Sequence, residues 1–196
     1  MRIIDPLKID PKLFPVTMLS NDLRGLMGST NGNWVLGGAM DIITDAFLDH
    51  ANYPVAGNII YIRNDGVMTL TGGISLTKDG SSSAYITVEG YNTARGDDPA
   101  GTNRPLIAMG VNGSDFDDYW YLKNLRFTCT GFGPGIHDYG VYKNCYINNS
   151  NAGGNRPAFN LGRGRVAIID CEGESNIGRA VEVNDWNAHI VGGYFH

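Results

Sequence analysis

Lys123-Asn124-Leu125-Arg126-Phe127, Lys143-Asn144-Cys145-Tyr146-Ile147, Ile169-Asp170-Cys171-Glu172-Gly173 and Val191-Gly192-Gly193-Tyr194-Phe195 align with one another. Their second residues, 124, 144, 170 and 192, are 20, 26 and 22 positions apart. A short strand that returns at this interval, with further short strands between, is the period of a β solenoid. Strands of an immunoglobulin-like sandwich recur about every 8–12 residues, without such a register. Side chains alternate between the two faces of a strand. The alignment therefore predicts one inward column of Leu125, Cys145, Cys171 and Gly193, and a second of Phe127, Ile147, Gly173 and Phe195. Asn124, Asn144 and Asp170 fall at the corner, where short polar side chains bond local backbone.

Upstream, Asn58–Arg63, Met68–Leu70, Ile74–Thr77, Tyr85–Glu89, Leu106–Met109 and Tyr121–Cys129 also read as strands, punctuated by Gly, Asn, Asp and Ser. Before them, residues 39–51 carry Ile42, Ile43, Ala46, Phe47 and Ala51 at roughly helical spacing, with Asp41 and Asp45 in the N-terminal half. Residues 1–38, broken by Pro6, Pro11 and Pro15, read as an extended arm that packs on something else.

Composition agrees with a turn-dense β protein. Of 196 residues 27 are glycine, roughly twice the usual 7%. Asparagines number 19 against 15 lysines and arginines together, and charged residues make up only 18%. A net charge of −5 with no basic cluster argues against nucleic-acid binding. No run of 18 apolar residues predicts membrane insertion, and the N-terminus lacks a secretory h-region. Cys129, Cys145 and Cys171 form no CxxC pair and read as buried thiols, so no metal or other cofactor is expected.

Together these features resemble the right-handed parallel β-helix, or pectate-lyase-like, superfamily. The helix 39–51 followed by Gly57-Asn58-Ile59-Ile60-Tyr61-Ile62-Arg63-Asn64-Asp65-Gly66 is similar to the capping helix and first strand of many such domains, and Ala84–Asn92 is similar to an early coil. The leader Ile4-Asp5-Pro6-Leu7-Lys8-Ile9-Asp10-Pro11 resembles the start of some tailed-phage structural proteins up to about residue 25. The expected fold is all-β: an extended N-terminal arm (1–38), then a capping helix and a single solenoid of about four to six coils (39–196), open or truncated at its C-terminal end. The resemblance implies a phage tailspike or tail-fibre protein in the virion, or an extracellular protein. It implies attachment to other tail proteins through residues 1–38, a homotrimer, and a β-helix that supports or performs recognition of host surface polysaccharide. The alternatives are a polysaccharide lyase or glycoside hydrolase, and a purely structural virion or surface protein.

The register also predicts two outward columns: Arg126, Tyr146, Glu172 and Tyr194, then Thr128, Asn148, Glu174 and His196. Glu172 and Glu174, about 6.6–7 Å apart along one strand, are the candidate catalytic pair, since glycoside hydrolysis uses two carboxyl groups. Arg126, Tyr146 and Tyr194 are the candidate substrate-binding residues, with tyrosine rings suited to stacking on sugars. A lyase would instead take Arg126 or Arg179 as base. Lesser signals are the acidic loop Ser114-Asp115-Phe116-Asp117-Asp118, expected to be a plain loop although its oxygens suit Ca²⁺, and the tripeptide Arg95-Gly96-Asp97. His137 and His189 have no paired ligands in sequence and are expected to be structural.

Overall fold

The computed structural model describes residues 54–64, 66–70, 77–110, 115–151, 156–161, 164–184 and 187–196. The arm expected at 1–38, the capping helix expected at 39–51, residues 74–76 of the strand expected at Ile74–Thr77, and Ser114 lie outside them. The first sheet stacks β1 (Ile59–Arg63), β3 (Ile86–Tyr91), β6 (Trp120–Lys123), β9 (Val141–Lys143), β12 (Ala167–Ile169) and β15 (His189–Val191) in that order. The second stacks β2 (Val67–Leu70), β4 (Leu106–Met109), β7 (Arg126–Cys129), β10 (Tyr146–Asn149), β13 (Glu172–Ser175) and β16 (Tyr194–Phe195). The third holds β5 (Asp115–Phe116), β8 (Gly135–Ile136), β11 (Phe159–Leu161) and β14 (Val181–Val183). Each strand pairs parallel with its sheet neighbours. Parallel strands need a long crossover, and here the other two sheets supply it. The described chain is a parallel β-solenoid.

The register is the one the repeat predicts. Arg126 pairs with Tyr146 and Phe127 with Ile147; Tyr146 pairs with Glu172 and Ile147 with Gly173; Glu172 pairs with Tyr194 and Gly173 with Phe195. The corner explains the spacing. Asn124, Asn144 and Asp170 have φ of 58°, 50° and 50°, and Gly192 follows at 67°. This left-handed conformation is open to Gly, Asn and Asp, and it turns the chain from the first sheet into the second. The single strand expected at Tyr121–Cys129 is therefore two, β6 and β7, separated by Asn124 and Leu125.

The interior is filled by stacked columns. Ile60, Val88, Leu122, Tyr142 and Ile168 face inward from the first sheet, and Ile107, Phe127 and Ile147 from the second, each at most 3% exposed. Complete burial of each large apolar side chain is worth roughly 1.5–3 kcal/mol. Two large polar side chains in this core find partners: Trp120 Nε1 donates to Lys78 O at 2.7 Å, and Tyr142 OH donates to Pro134 O. Asn149 Nδ2 donates to Gly131 O, Arg156 O and Pro157 O, fastening two loop segments to the coil. At Gly173 a Cβ would lie 2.9 Å from the Phe195 ring and 3.0 Å from Phe159, so the missing side chain gives two rings room to pack edge to face.

A second corner carries aromatic residues. Tyr119 and Tyr139 both have φ of 61°, which is strained for bulky side chains. Their rings stack at 4.7 Å and 3°, Tyr85 meets Tyr119 edge-on, and Arg165 lies over Tyr139. These contacts occupy the ring faces, so the ladder braces successive coils. Burial, with Tyr119 and Tyr139 close by, pushes the Tyr85 hydroxyl up to about 12.

Candidate functional site

The outer face of the second sheet holds the candidate pair Glu172 and Glu174 and the candidate binding residues Arg126, Tyr146 and Tyr194. Arg126, Tyr146, Glu172 and Tyr194 form one column, and Thr128, Asn148 and Glu174 the next. His196 joins the second column by pairing its backbone with Gly173 and Ser175. Strand stacking thus brings together side chains up to 68 positions apart in sequence.

Glu174 is the centre of this face. Its Oε2 accepts from the Tyr146 hydroxyl and from Asn148 Nδ2 at 2.8 Å, and its Oε1 lies 3.5 Å from His196 Nε2. Asn148 Nδ2 also donates to the Tyr146 oxygen at 3.1 Å. The Tyr146 hydrogen bond, aided by Asn148 and His196 and opposed by partial burial, holds the Glu174 carboxyl below its ordinary value. Burial, then the hydrogen bond to Glu174, pushes the Tyr146 hydroxyl up. Tyr194, 65% exposed, tilts against the His196 ring at 4.7 Å.

Glu172 is engaged differently. Its Oε1 accepts from Arg104 Nη1 at 2.9 Å, and Arg104 Nη2 donates to Asn144 Oδ1 at 2.7 Å. Arg104 is only 4% exposed, whereas the Glu172 side chain is 47% exposed. The guanidinium comes from the excursion between β3 and β4, residues 92–105, which folds over the asparagine corner. Asn124 Nδ2 donates to Asp97 O and Asp98 Oδ1, and Asn144 Nδ2 donates to Pro99 O and Asn124 Oδ1. The sequence reading missed Arg104, since nothing local marks a residue that reaches three coils away. Arg126 stands in the column with its Nε buried and lacking an acceptor. Arg179 is exposed, after β13.

Chemically, this face offers an ionised carboxylate, an amide, tyrosine hydroxyls and an exposed ring at fixed spacing. A hydrolase needs one carboxyl that retains its proton to act as acid. Glu174 is tuned toward its charged form, the state the pair's other carboxyl takes, and Glu172 accepts a hydrogen bond from Arg104.

The Asp97 carboxylate accepts from the backbone N–H groups of Asn92, Thr93 and Ala94, and Arg95 lies over the Tyr61 ring at 5.0 Å. The Arg95-Gly96-Asp97 tripeptide is therefore a closed turn. His137 does have an acidic neighbour: Nδ1 lies 3.1 Å from Asp117 Oδ1, because Phe116 pairs with Ile136 one coil on. Asp117, Asp118 and His137 place ligand-type atoms within 4.8 Å of one another. The carboxylates also form a ladder, with Asp118 N–H donating to Asp79 and Asp138 N–H to Asp118. Burial, together with the charges of Asp138, Asp117 and Asp79, raises the Asp118 carboxyl above its ordinary value.

No known protein family, curated protein or solved structure matches this chain.

Proposed function

We propose that this chain is a structural protein of a tailed-phage virion, a tailspike or tail fibre whose solenoid presents a recognition face for host surface polysaccharide. Its coils wind right-handed, the sense that parallel crossovers adopt almost without exception. Residues 1–38 attach it to other tail proteins, and three copies assemble about a common axis. The observation that carries the recognition reading is the Glu174 network: Tyr146, Asn148 and His196 around an ionised carboxylate, with Tyr194 exposed beside it. Fixed acceptors, donors and an aromatic surface on a strand face suit hydroxyl-rich chains.

The test is calorimetric titration of the full chain with capsular polysaccharide or lipopolysaccharide O-chain from candidate hosts, with product analysis of the same mixtures. Tyr146→Ala and Glu174→Gln each remove at least one hydrogen bond and are expected to weaken binding about tenfold. Unchanged affinity in both variants overturns the assignment of this face. Chain shortening that disappears in the Glu172→Gln, Glu174→Gln double variant replaces recognition by hydrolysis. Deletion of residues 1–25 is expected to prevent incorporation into virions; normal incorporation refutes the attachment role.

A further inference from the structure

Cys145 and Cys171 occupy the same inward column one strand apart. Tyr146 pairs with Glu172, and Glu172 N donates to Cys145 O at 2.8 Å. Each cysteine follows a left-handed corner residue, Asn144 or Asp170, and neither exposes any surface. The Cys171 sulfur leans toward its neighbour, accepting the Cys145 backbone N–H at 3.4 Å. The thiols themselves donate to backbone carbonyls, Cys145 to Leu122 O and Lys143 O at 3.4 Å and Cys171 to Ile169 O at 3.3 Å. Cys129 has no such companion: it pairs with Asn149, and its thiol donates to Asn148 O at 3.5 Å.

Neighbouring strands lie about 4.7–4.9 Å apart, inside the Cα separation of about 4.4–6.8 Å that disulfides span. The spacing of the coils is thus within the Cα range of a disulfide, and the Cys171 sulfur already reaches the Cys145 backbone. We propose that Cys145 and Cys171 are a covalent modification site, closed to an inter-coil disulfide by exchange with a small-molecule disulfide while these coils assemble. The thiolate of one cysteine attacks oxidised glutathione, and one glutathione leaves as its thiolate. The second cysteine's thiolate then attacks the protein sulfur of the mixed disulfide and releases the second glutathione. Two protein thiols lose two electrons and two protons, and one oxidised glutathione becomes two reduced ones. Timing follows from burial, which raises the Cys171 thiol well above its ordinary value and seals both sulfurs from solvent. Exchange needs a thiolate and access, so it proceeds before the core closes, and the finished bond is shielded from reductants.

The full reduced chain is unfolded, refolded with oxidised and reduced glutathione, and analysed by intact mass, by alkylation after denaturation and by non-reducing digestion. The expected product has lost two hydrogens, keeps one alkylatable thiol at Cys129, and yields a linked Cys145–Cys171 peptide. Cys129→Ser still closes the bond, and Cys171→Ser does not. Three alkylatable thiols, glutathione left on single cysteines, or a link through Cys129 overturns the proposal. Should the chain refold poorly, the same mapping is made on native protein held in oxidised glutathione just below its urea midpoint, where coils open locally. The same outcomes decide it.

Discussion

Asn144 is the residue on which the corner and the second-sheet face both depend, and its replacement gives a graded prediction. Its Nδ2 donates to Asn124 Oδ1 at 2.7 Å and to Pro99 O at 3.0 Å, and its Oδ1 accepts from Arg104 Nη2 at 2.7 Å. Either Asn144→Ala or Asn144→Gly removes all three hydrogen bonds. At about 1 kcal/mol net each, that is about 3 kcal/mol. Two of the abandoned partners sit on residues that are almost fully enclosed, Asn124 at 0% and Arg104 at 4% exposed, which keeps the figure from being smaller. Backbone conformation then separates the variants. At a φ of 50° alanine carries a left-handed penalty of about 1–2 kcal/mol, which glycine avoids. Glycine loses about 0.5–1 kcal/mol more to chain entropy than alanine. Taking the middle of each range, the glycine variant is thus expected to be the more stable by about 0.75 kcal/mol, the reverse of the order in an ordinary strand. Losses of this size leave a domain of typical stability folded. Urea unfolding of the full chain, followed by circular dichroism and tryptophan fluorescence to check that the transitions coincide, measures both. An alanine variant as stable as the glycine variant refutes the left-handed argument. A loss below about 1 kcal/mol in both refutes the hydrogen-bond argument.

Glu174→Gln tests the carboxylate network by pH. The folded Glu174 carboxyl lies below its ordinary value, so its contribution is present above the unfolded value and is lost as pH falls through the folded one. Thermal melts should show the wild type ahead of the variant at neutral pH and the two converging in acid; a constant gap refutes the network. Asp118 has the opposite sign: its folded carboxyl is raised, so stability from this group is present in acid and is lost as pH rises through the raised value. Asp118→Asn, whose Oδ1 can still accept from Asp138 N–H, should melt no lower than wild type at neutral pH and lose any advantage below the ordinary carboxylate range. Gly90→Ala should destabilise by about 1–3 kcal/mol or more, since its Cβ would fall 2.1 Å from Asn124 O and 2.8 Å from Pro105 Cδ. Chemical denaturation within 0.5 kcal/mol of wild type would refute that close approach.

The inward columns and the outward pair of columns were legible because a solenoid converts sequence period directly into spatial neighbourhood. Once residues 124, 144, 170 and 192 are aligned, parallel in-register stacking dictates that Arg126 adjoins Tyr146 and that Tyr146 adjoins Glu172. Alternation along each strand then decides which side chains enter the core. Legibility ended where the chain leaves this period. Tyr121–Cys129 read as one strand because the hydrophobic alternation runs on through Asn124, whereas the bend depends on a left-handed φ that no pattern of polarity encodes. His137 looked partnerless because its neighbour Asp117 belongs to the preceding coil and lies in a turn outside the aligned repeat. Arg104 was invisible for a stronger reason. Its contacts with Asn144 and Glu172, 40 and 68 positions away, arise from the path of an excursion that has no counterpart in other coils. By itself, then, the sequence determined which residues share a column, since that follows from period and alternation. Only the tertiary structure decided how the two glutamates are held, because that depends on partners brought in by coil stacking and by a loop of irregular length.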